Sequence, residues 1–185
     1  MVKYVPKSLA PTIYDIDFNK LYEKGVKYIL FDLDNTLAPY DDIKPTPKQI
    51  ELNQKLREKG FKIFILSNNN KKRMKLYTEE FIVDAYLSFA NKPLSFKIKR
   101  FLKKHQIDKS KSIWIGDQLL TDISCANKIG IDSILVSSIS RKSEKWYTRW
   151  NRKREEKILK KIALTDPLMA QKIKDIISKK GEQHE

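Results

Sequence analysis

The chain has 185 residues with 41% hydrophobic and 10% aromatic content, enough for the core of one domain with a short appendage. Its one cysteine, Cys125, excludes an internal disulfide, its two histidines are too few for a histidine-based metal site, and its apolar runs are too short to cross a membrane. The 38 Lys and Arg against 23 Asp and Glu give a net charge of +15, which favours an anionic partner unless coding bias alone enriches the lysines.

Short apolar runs of strand length alternate with helical patterns along the chain. The predicted strands are 28–33, 62–66, 112–115 and 133–136, and the predicted helices are 46–59, 94–105 and 121–129. This alternation indicates an α/β fold with a parallel sheet. In such sheets ligands bind at the carboxyl ends of the strands, so the residues that follow each strand are candidate site residues.

Two aspartates, Asp32 and Asp34, end the first predicted strand in the segment FDLDNTL. Side chains alternate along a strand, so both carboxylates are expected on the same side. Carboxylates that close repel each other unless a metal ion or a shared proton compensates. The pair therefore predicts a metal site or an acid/base couple. The alternative is that Asp34, Asn35 and Thr36 only form a turn.

Polar residues also follow the second predicted strand and precede the helix 94–105. Ser67 and Asn68 open the run SNNN, where a phosphate could meet hydroxyl and backbone N–H donors, although such a run is also typical of a turn. Lys92 stands in the segment NKP and is expected to face the same edge, although it is one of many lysines.

The third predicted strand ends in GDQLLTD, which places Asp117 at the sheet edge and Asp122 about one helical turn further along. Together with Asp32 and Asp34, four carboxylates would converge on this edge, which is costly without a cation. Hard carboxylate oxygens suit Mg²⁺ completed by water and substrate phosphate. The alternative for Asp122 is a carboxylate that only stabilises the start of a helix.

The ordered segments FDLDNTL, LSNNN, NKP and GDQLLTD resemble motifs I to IV of the haloacid dehalogenase (HAD) superfamily of phosphatases. Their details are most similar to subfamily IIIA, the YqeG-like phosphatases related to mitochondrial phosphatidylglycerophosphate phosphatases. The resemblance covers most of residues 5–137. It implies a HAD-like Rossmannoid parallel sheet flanked by helices. Only residues 38–44 and 71–91 are available for an inserted cap, so a capless, open site is expected.

The resemblance also implies a role for each candidate residue. Asp32 would be the nucleophile that forms an aspartyl-phosphate, Asp34 the acid/base, and Lys92 the cation that neutralises charge on both nucleophile and phosphate. The implied phosphate-binding residues are Ser67, Asn68 and Lys92. The implied Mg²⁺ ligands are Asp32, the main-chain carbonyl of Asp34, and Asp117, with Asp122 in support.

Residues 1–140 are expected to form the phosphatase domain and residues 141–185 a basic helical tail. In the tail, an apolar stripe with basic neighbours predicts an amphipathic helix, and its members are Trp146, Trp150, Ile158 and Ile162. Such a helix can lie on an anionic membrane surface, or its stripe can pack on the domain. A second stripe follows Pro167, at Met169, Ile173, Ile176 and Ile177, and residues 181–185 are expected to be disordered.

Three hypotheses about function follow. The first is a Mg²⁺-dependent phosphomonoester hydrolase, cytoplasmic or peripheral at the inner face of the membrane, with phosphatidylglycerophosphate as the candidate that the resemblance implies. The second keeps the enzyme but takes nucleic-acid ends, nucleotides or sugar phosphates, which the charge and the open site also fit. The third is a basic binding module without turnover.

Overall fold

A computed structural model describes residues 3–140 and 146–178. Its strands are β1 (Ser8–Ala10), β2 (Tyr28–Phe31), β3 (Lys62–Leu66), β4 (Ala85–Leu87), β5 (Ser112–Gly116) and β6 (Asp132–Val136). All pair in parallel in one sheet of order β1-β6-β5-β2-β3-β4. The strand β2 lies between β5 and β3, so three of the four motifs leave the sheet from adjacent strands.

The α-helices cover both faces of this sheet. They are α1 (Phe18–Glu23), α2 (Pro47–Glu58), α3 (Lys71–Thr78), α4 (Phe96–Lys104), α5 (Ser124–Ile129), α6 (Trp146–Ala163) and α7 (Pro167–Ser178). The start of α2 is fixed by a capping box: the Thr46 hydroxyl accepts from the Gln49 N–H, and the Gln49 side chain accepts from the Thr46 N–H. The expected parallel α/β architecture is confirmed.

The core divides into two layers because successive strand residues alternate between the faces of the sheet. Ile29 and Phe31 of β2 pack with residues of α1, α2 and α3, whereas Leu30 packs with α4 and α5. The central strands are therefore buried on both faces, as their continuous apolar runs predict.

The largest differences between the predicted and observed element boundaries are three, and the helix predicted over 46–59 and the strands predicted over 112–115 and 133–136 differ by one residue at one or both ends. The first strand ends at Phe31, not at residue 33. The helix predicted over 94–105 spans Phe96–Lys104, and Leu94 is exposed ahead of it, although Ile98 and its apolar partners are buried as expected. The helix predicted over 121–129 is two elements, a π-helical turn Leu119–Ile123 followed by α5.

The tail helices α6 and α7 form a third buried cluster with the π-helical turn and β6. Its tail members are Ile158, Ile162, Ala170, Ile173 and Ile176. The Ser137 hydroxyl beyond β6 also donates to the carbonyl of Ile176 at 2.7 Å. Trp150 is exposed, and the side chain of Trp146 and residues 181–185 lie outside the described residues.

No helix in these two described segments is long and apolar enough to cross a bilayer. The division of the chain at residue 140 stays a prediction.

Candidate active site

Every site residue predicted from the sequence lies at the carboxyl edge of the sheet. Asp32 and Asp34 follow β2, Ser67 and Asn68 follow β3, Lys92 lies on the loop between β4 and α4, and Asp117 and Asp122 follow β5. A cavity at this edge is lined by Asp32, Asp34, Tyr40, Asn68, Lys92, Gln118, Thr121 and Asn151. The loops bring the seven predicted residues together, although they are up to 90 positions apart in sequence.

The ammonium group of Lys92 bridges two buried carboxylates. Its Nζ donates to Oδ1 of Asp32 at 2.5 Å and to Oδ1 of Asp122 at 2.7 Å. Asp122 also accepts from the N–H of Gln118 at 3.2 Å. Asp122 therefore does both things considered from the sequence: it stabilises the start of the π-helical turn and holds Lys92.

Asp32, Asp117 and Asp122 form a compact group of carboxylates. One oxygen from each lies within 4.8 Å of the others, and all three residues are buried. Lys92 pairs with Asp32 and Asp122, and a divalent cation would offset the repulsion among the three carboxylates. The oxygen-only donor set suits a hard cation such as Mg²⁺.

The pKa values at this centre reflect burial first and the neighbouring charges second. Burial raises the pKa of Asp32 well above its ordinary value against the opposing charge of Lys92, and the neighbouring carboxylates raise it further. Burial also raises the pKa of Asp122. Burial alone would lower the pKa of Lys92, but Asp122 and Asp32 outweigh it, so the lysine stays protonated. A cation in the group would favour the ionised carboxylates.

Asp34 lies in a separate set of contacts that orient its carboxylate. The Ser67 hydroxyl donates to Oδ2 at 3.0 Å, the Asn69 amide donates to Oδ2 at 3.2 Å, and the Arg73 Nε donates to Oδ1 at 3.3 Å. All three partners are buried. Asp34 is therefore held beside Asp32, but its carboxylate pairs with Arg73.

The turn after Asp34 explains the identity of Asn35. This residue has a φ of 66°, in the left-handed region that asparagine tolerates better than most residues other than glycine. Its N–H donates to the carbonyl of Ala38 at 2.7 Å. The turn considered from the sequence is thus present, and it coexists with the use of Asp34 in the site.

The residues of the SNNN segment have different structural roles. Ser67 holds Asp34, whereas the Asn68 side chain exchanges two hydrogen bonds with the backbone of Lys92, at 2.7 and 3.0 Å. Asn70 caps α3 by accepting from the Arg73 N–H. The structure thus shows Asn68 fixing the Lys92 loop, and the predicted phosphate contacts of Ser67 and Asn68 stay predictions.

Gly116 ends β5 at a point where Asp122 packs directly against the strand. A Cβ at residue 116 would lie 2.5 Å from both Cβ and Cγ of Asp122. Real Cβ atoms do not approach that closely, so any side chain at 116 would displace Asp122. Glycine is required here for close packing.

Several residues of the site were not predicted from the sequence: Arg73, Asn69 and Asn151, and the cavity-lining Tyr40, Gln118 and Thr121. Arg73 comes from α3, which lacks a clear apolar pattern, and Asn69 was treated only as part of a polar run. Asn151 comes from α6 and lines the cavity opposite the strands. Only tertiary packing brings α6 to this edge, so no local sequence signal could have identified Asn151.

The arrangement can carry out nucleophilic chemistry on an anionic group. It combines a buried carboxylate beside a fixed ammonium with a carboxylate group fit for a cation and a second, separately oriented acid.

Comparison with known proteins gives a consistent picture. The family described as "Haloacid dehalogenase-like hydrolase" matches residues 38–136. Over 156 residues the chain is 37% identical to a Bacillus subtilis protein named "Probable phosphatase YqeG", covering 84% of this chain and 90% of that protein. Over 155 residues it is 28% identical to "Phosphatidylglycerophosphate phosphatase 1, chloroplastic/mitochondrial" of Arabidopsis thaliana, covering 79% of this chain and 44% of that protein.

The fold has a counterpart among solved structures. A HAD-like family hydrolase from Porphyromonas gingivalis superposes with a TM-score of 0.52 at 12% sequence identity, covering 69% of this chain and 97% of that one. At this identity the similarity concerns the fold alone.

Proposed function

The chain belongs to the haloacid dehalogenase-like hydrolase family and is a phosphatase of that family, as its four motifs indicated, and from this we propose a Mg²⁺-dependent phosphomonoester hydrolase that works through an aspartyl-phosphate. The observation that carries the proposal is the pairing of buried Asp32 with Lys92 beside Asp117 and Asp122. A carboxylate so placed can approach a phosphate because neighbouring cations offset the charge repulsion.

In the proposed first step, a carboxylate oxygen of Asp32 attacks the phosphorus atom and the bond to the leaving alcohol breaks. Asp34 donates its proton to the departing oxygen. In the second step Asp34 takes a proton from water, whose oxygen attacks the same phosphorus atom and releases inorganic phosphate and free Asp32. The contacts of Asp34 with Ser67, Asn69 and Arg73 keep its carboxyl group oriented for both transfers.

Lys92 holds Asp32 in place and would offset charge on the phosphoryl oxygens, together with the hydroxyl of Ser67 and the polar groups near Asn68. Asp32, Asp117 and the main-chain carbonyl of Asp34 would hold Mg²⁺, with Asp122 in support. When bound, the ion supplies a Lewis acid that stabilises negative charge on the transferring phosphoryl group.

For the substrate we propose phosphatidylglycerophosphate at an anionic membrane surface. Support comes from the Arabidopsis relative, of which the chain spans less than half, from the net charge of +15 and from the short segments 38–44 and 71–91, which carry no inserted cap domain in the described part of the chain. A site without a cap would accept a phosphate carried by a large or surface-bound molecule. Nucleic-acid ends and sugar phosphates are the alternative substrates.

The test measures release of inorganic phosphate by wild-type protein and by Asp32→Asn, with Mg²⁺ present or chelated. We expect release from phosphatidylglycerophosphate in vesicles to fall at least about a thousandfold in the variant, because the amide cannot act as the nucleophile. Asp175→Asn, an exposed carboxylate on α7, is the matched control and should keep the wild-type rate. An Asp32→Asn variant with full activity would contradict the mechanism.

A further inference from the structure

Several large apolar side chains border the active site yet are exposed to solvent. Phe89 is 51% exposed, Leu94 64% and Phe96 77%, and all three lie on or beside the loop that carries Lys92. Trp150, 55% exposed, precedes Asn151 of the cavity wall. Single exposed apolar residues are ordinary, but a group around one site marks an interaction surface. These four residues are called the apolar rim.

The loop that presents the apolar rim is fixed to the catalytic segments. The N–H of Phe89 donates to the carbonyl of Asn69 at 2.9 Å, and the N–H of Ala90 donates to that of Ser67 at 3.0 Å. The Nζ of Lys97 donates to the carbonyl of Phe89 at 2.9 Å. These bonds hold the backbone at Phe89 and Ala90 against the segment that follows β3, so this part of the rim is fixed beside the site.

The segment that carries three of the rim residues has charged side chains of one sign only. Residues 85–107 contain no Asp or Glu, and their exposed basic side chains are Lys97, Lys99, Arg100, Lys103 and Lys104. On α6, the guanidinium of Arg154 lies 4.7 Å from the ring centroid of Trp150. Apolar side chains with basic neighbours complement an anionic bilayer, whose interface accepts the apolar groups while its headgroups attract the basic residues.

We propose that the apolar rim docks the mouth of the active site onto an anionic phospholipid bilayer, so that the enzyme takes phosphomonoesters that are themselves membrane lipids. The inference rests on the proposed function and deepens it. Nucleic acid is the less favoured partner, because Leu94 has no flat ring on which a base could stack. Insertion into a bilayer is favourable in free energy for both leucine and phenylalanine, because it removes their apolar surface from water.

The first experiment measures flotation with vesicles of phosphatidylcholine and phosphatidylglycerol in equal parts. We expect the double variant Leu94→Ser/Phe96→Ser to bind at least about tenfold more weakly than wild type, because two apolar insertions are lost. Ile82→Ser is the matched control: Ile82 is similarly exposed but precedes β4, at the opposite edge of the sheet, and its replacement should leave binding unchanged.

The second experiment compares hydrolysis of phosphatidylglycerophosphate in those vesicles with hydrolysis of glycerol 3-phosphate in solution. The ratio of lipid to soluble rate should fall at least about tenfold in the double variant and stay constant in Ile82→Ser. Circular dichroism of each variant checks the fold, which serine at exposed positions leaves intact.

The outcomes separate the two proposals. If wild type hydrolyses neither substrate, the proposed function fails. If wild type hydrolyses the lipid but the double variant keeps the wild-type ratio and vesicle binding, the docking surface is refuted while the function stands. Loss of oligonucleotide binding in the double variant with vesicle binding intact would also overturn the inference, in favour of a nucleic-acid surface.

Discussion

At the scale of single residues, Arg73 links the second acid of the site to the loop beside it. Its Nε contacts Asp34, one terminal nitrogen donates to the carbonyl of Pro39 at 2.7 Å, and the other donates to the carbonyl of Asp42. A planar guanidinium can satisfy these three acceptors at once, which a lysine cannot. Arg73 therefore positions both Asp34 and the wall that contains Tyr40.

Replacing Arg73 by methionine is expected to cost about 3 kcal/mol in the free energy of unfolding, because it leaves the buried Asp34 without its cation. The rate of phosphate release should fall by as much as about a hundredfold as Asp34 loses its orientation. Urea unfolding and initial rates measure the two effects.

The control for Arg73 is Arg57→Met. Arg57 forms a partly exposed ion pair with Asp84 at 3.4 Å, so its loss should cost less than about 1 kcal/mol and leave the rate unchanged. Equal losses of stability in the two variants would show that Asp34 does not depend on Arg73.

Prediction from sequence was most direct for residues that end a strand, whereas Lys92 and Asp122 were identified from their motif segments and several residues on helices and loops were missed. Asp32 and Asp117 could be placed because each ends a strand of a parallel sheet, where side chains share one edge. Arg73 and Asn151 could not, because a helix surface gives no signal of what it packs against. The catalytic and binding roles assigned to the predicted residues stay predictions.

At the scale of elements, α6 is attached to the turn that carries Asp122. The buried Glu155 of α6 accepts from the N–H of Leu120 at 3.1 Å, two residues before Asp122. One end of the same helix contributes Asn151 to the cavity, and further along it buries Ile158 and Ile162. The tail helix is thus structurally joined to the site, whichever surface its basic residues contact.

Glu155→Ala should lower the free energy of unfolding by about 1–3 kcal/mol, because the buried N–H of Leu120 loses its acceptor. Phosphate release should also slow, since the turn that fixes Asp122 is loosened. The neighbouring Glu156 is exposed, so Glu156→Ala should leave both quantities at wild-type values. Chemical unfolding and the phosphate assay measure the two quantities in both variants. Equal free energies of unfolding and equal rates in the two variants would show that α6 does not stabilise the turn.

Elements with long apolar patterns were predictable and short ones were not. The strand β3 matches its predicted bounds, whereas the edge strands β1 and β4 have three residues each and escaped prediction. Three residues are too few to show a period. Residues 121–123 of the π-helical turn fall in the helix predicted over 121–129, because the sequence does not reveal the bond from the N–H of Ile123 to the carbonyl of Gln118, five residues earlier.

At the scale of the whole molecule, negative charge is concentrated at one buried point of a strongly basic protein. Asp32, Asp117 and Asp122 repel one another inside a chain of net charge +15. The family architecture was predictable because the four motifs occur in order along a recognisable strand pattern. The packing of α6 and α7 against β6 and the π-helical turn could not be predicted, because the motifs do not encode it.

Magnesium is expected to stabilise the protein by binding this carboxylate group. At a hundredfold excess over Kd, the midpoint of thermal unfolding should rise by roughly 5–10 °C, and chelation should reverse the rise. Asp117→Asn should abolish the rise and, by relieving repulsion, should unfold at a higher temperature than wild type in chelator. Asp175→Asn should respond like wild type. A wild-type midpoint insensitive to Mg²⁺ would argue against a cation in this group.

The two tight turns at the site differ in which substitutions they tolerate. Asn35 occupies a backbone conformation that glycine also adopts freely, so descendants of this sequence can exchange one for the other and keep the turn. Gly116 has no such substitute, because Asp122 fills the space that any side chain would need. Substitution by glycine is thus tolerated at Asn35, after β2, whereas no substitution is tolerated at Gly116, the end of β5. A lineage that replaces Gly116 must move or lose Asp122 as well.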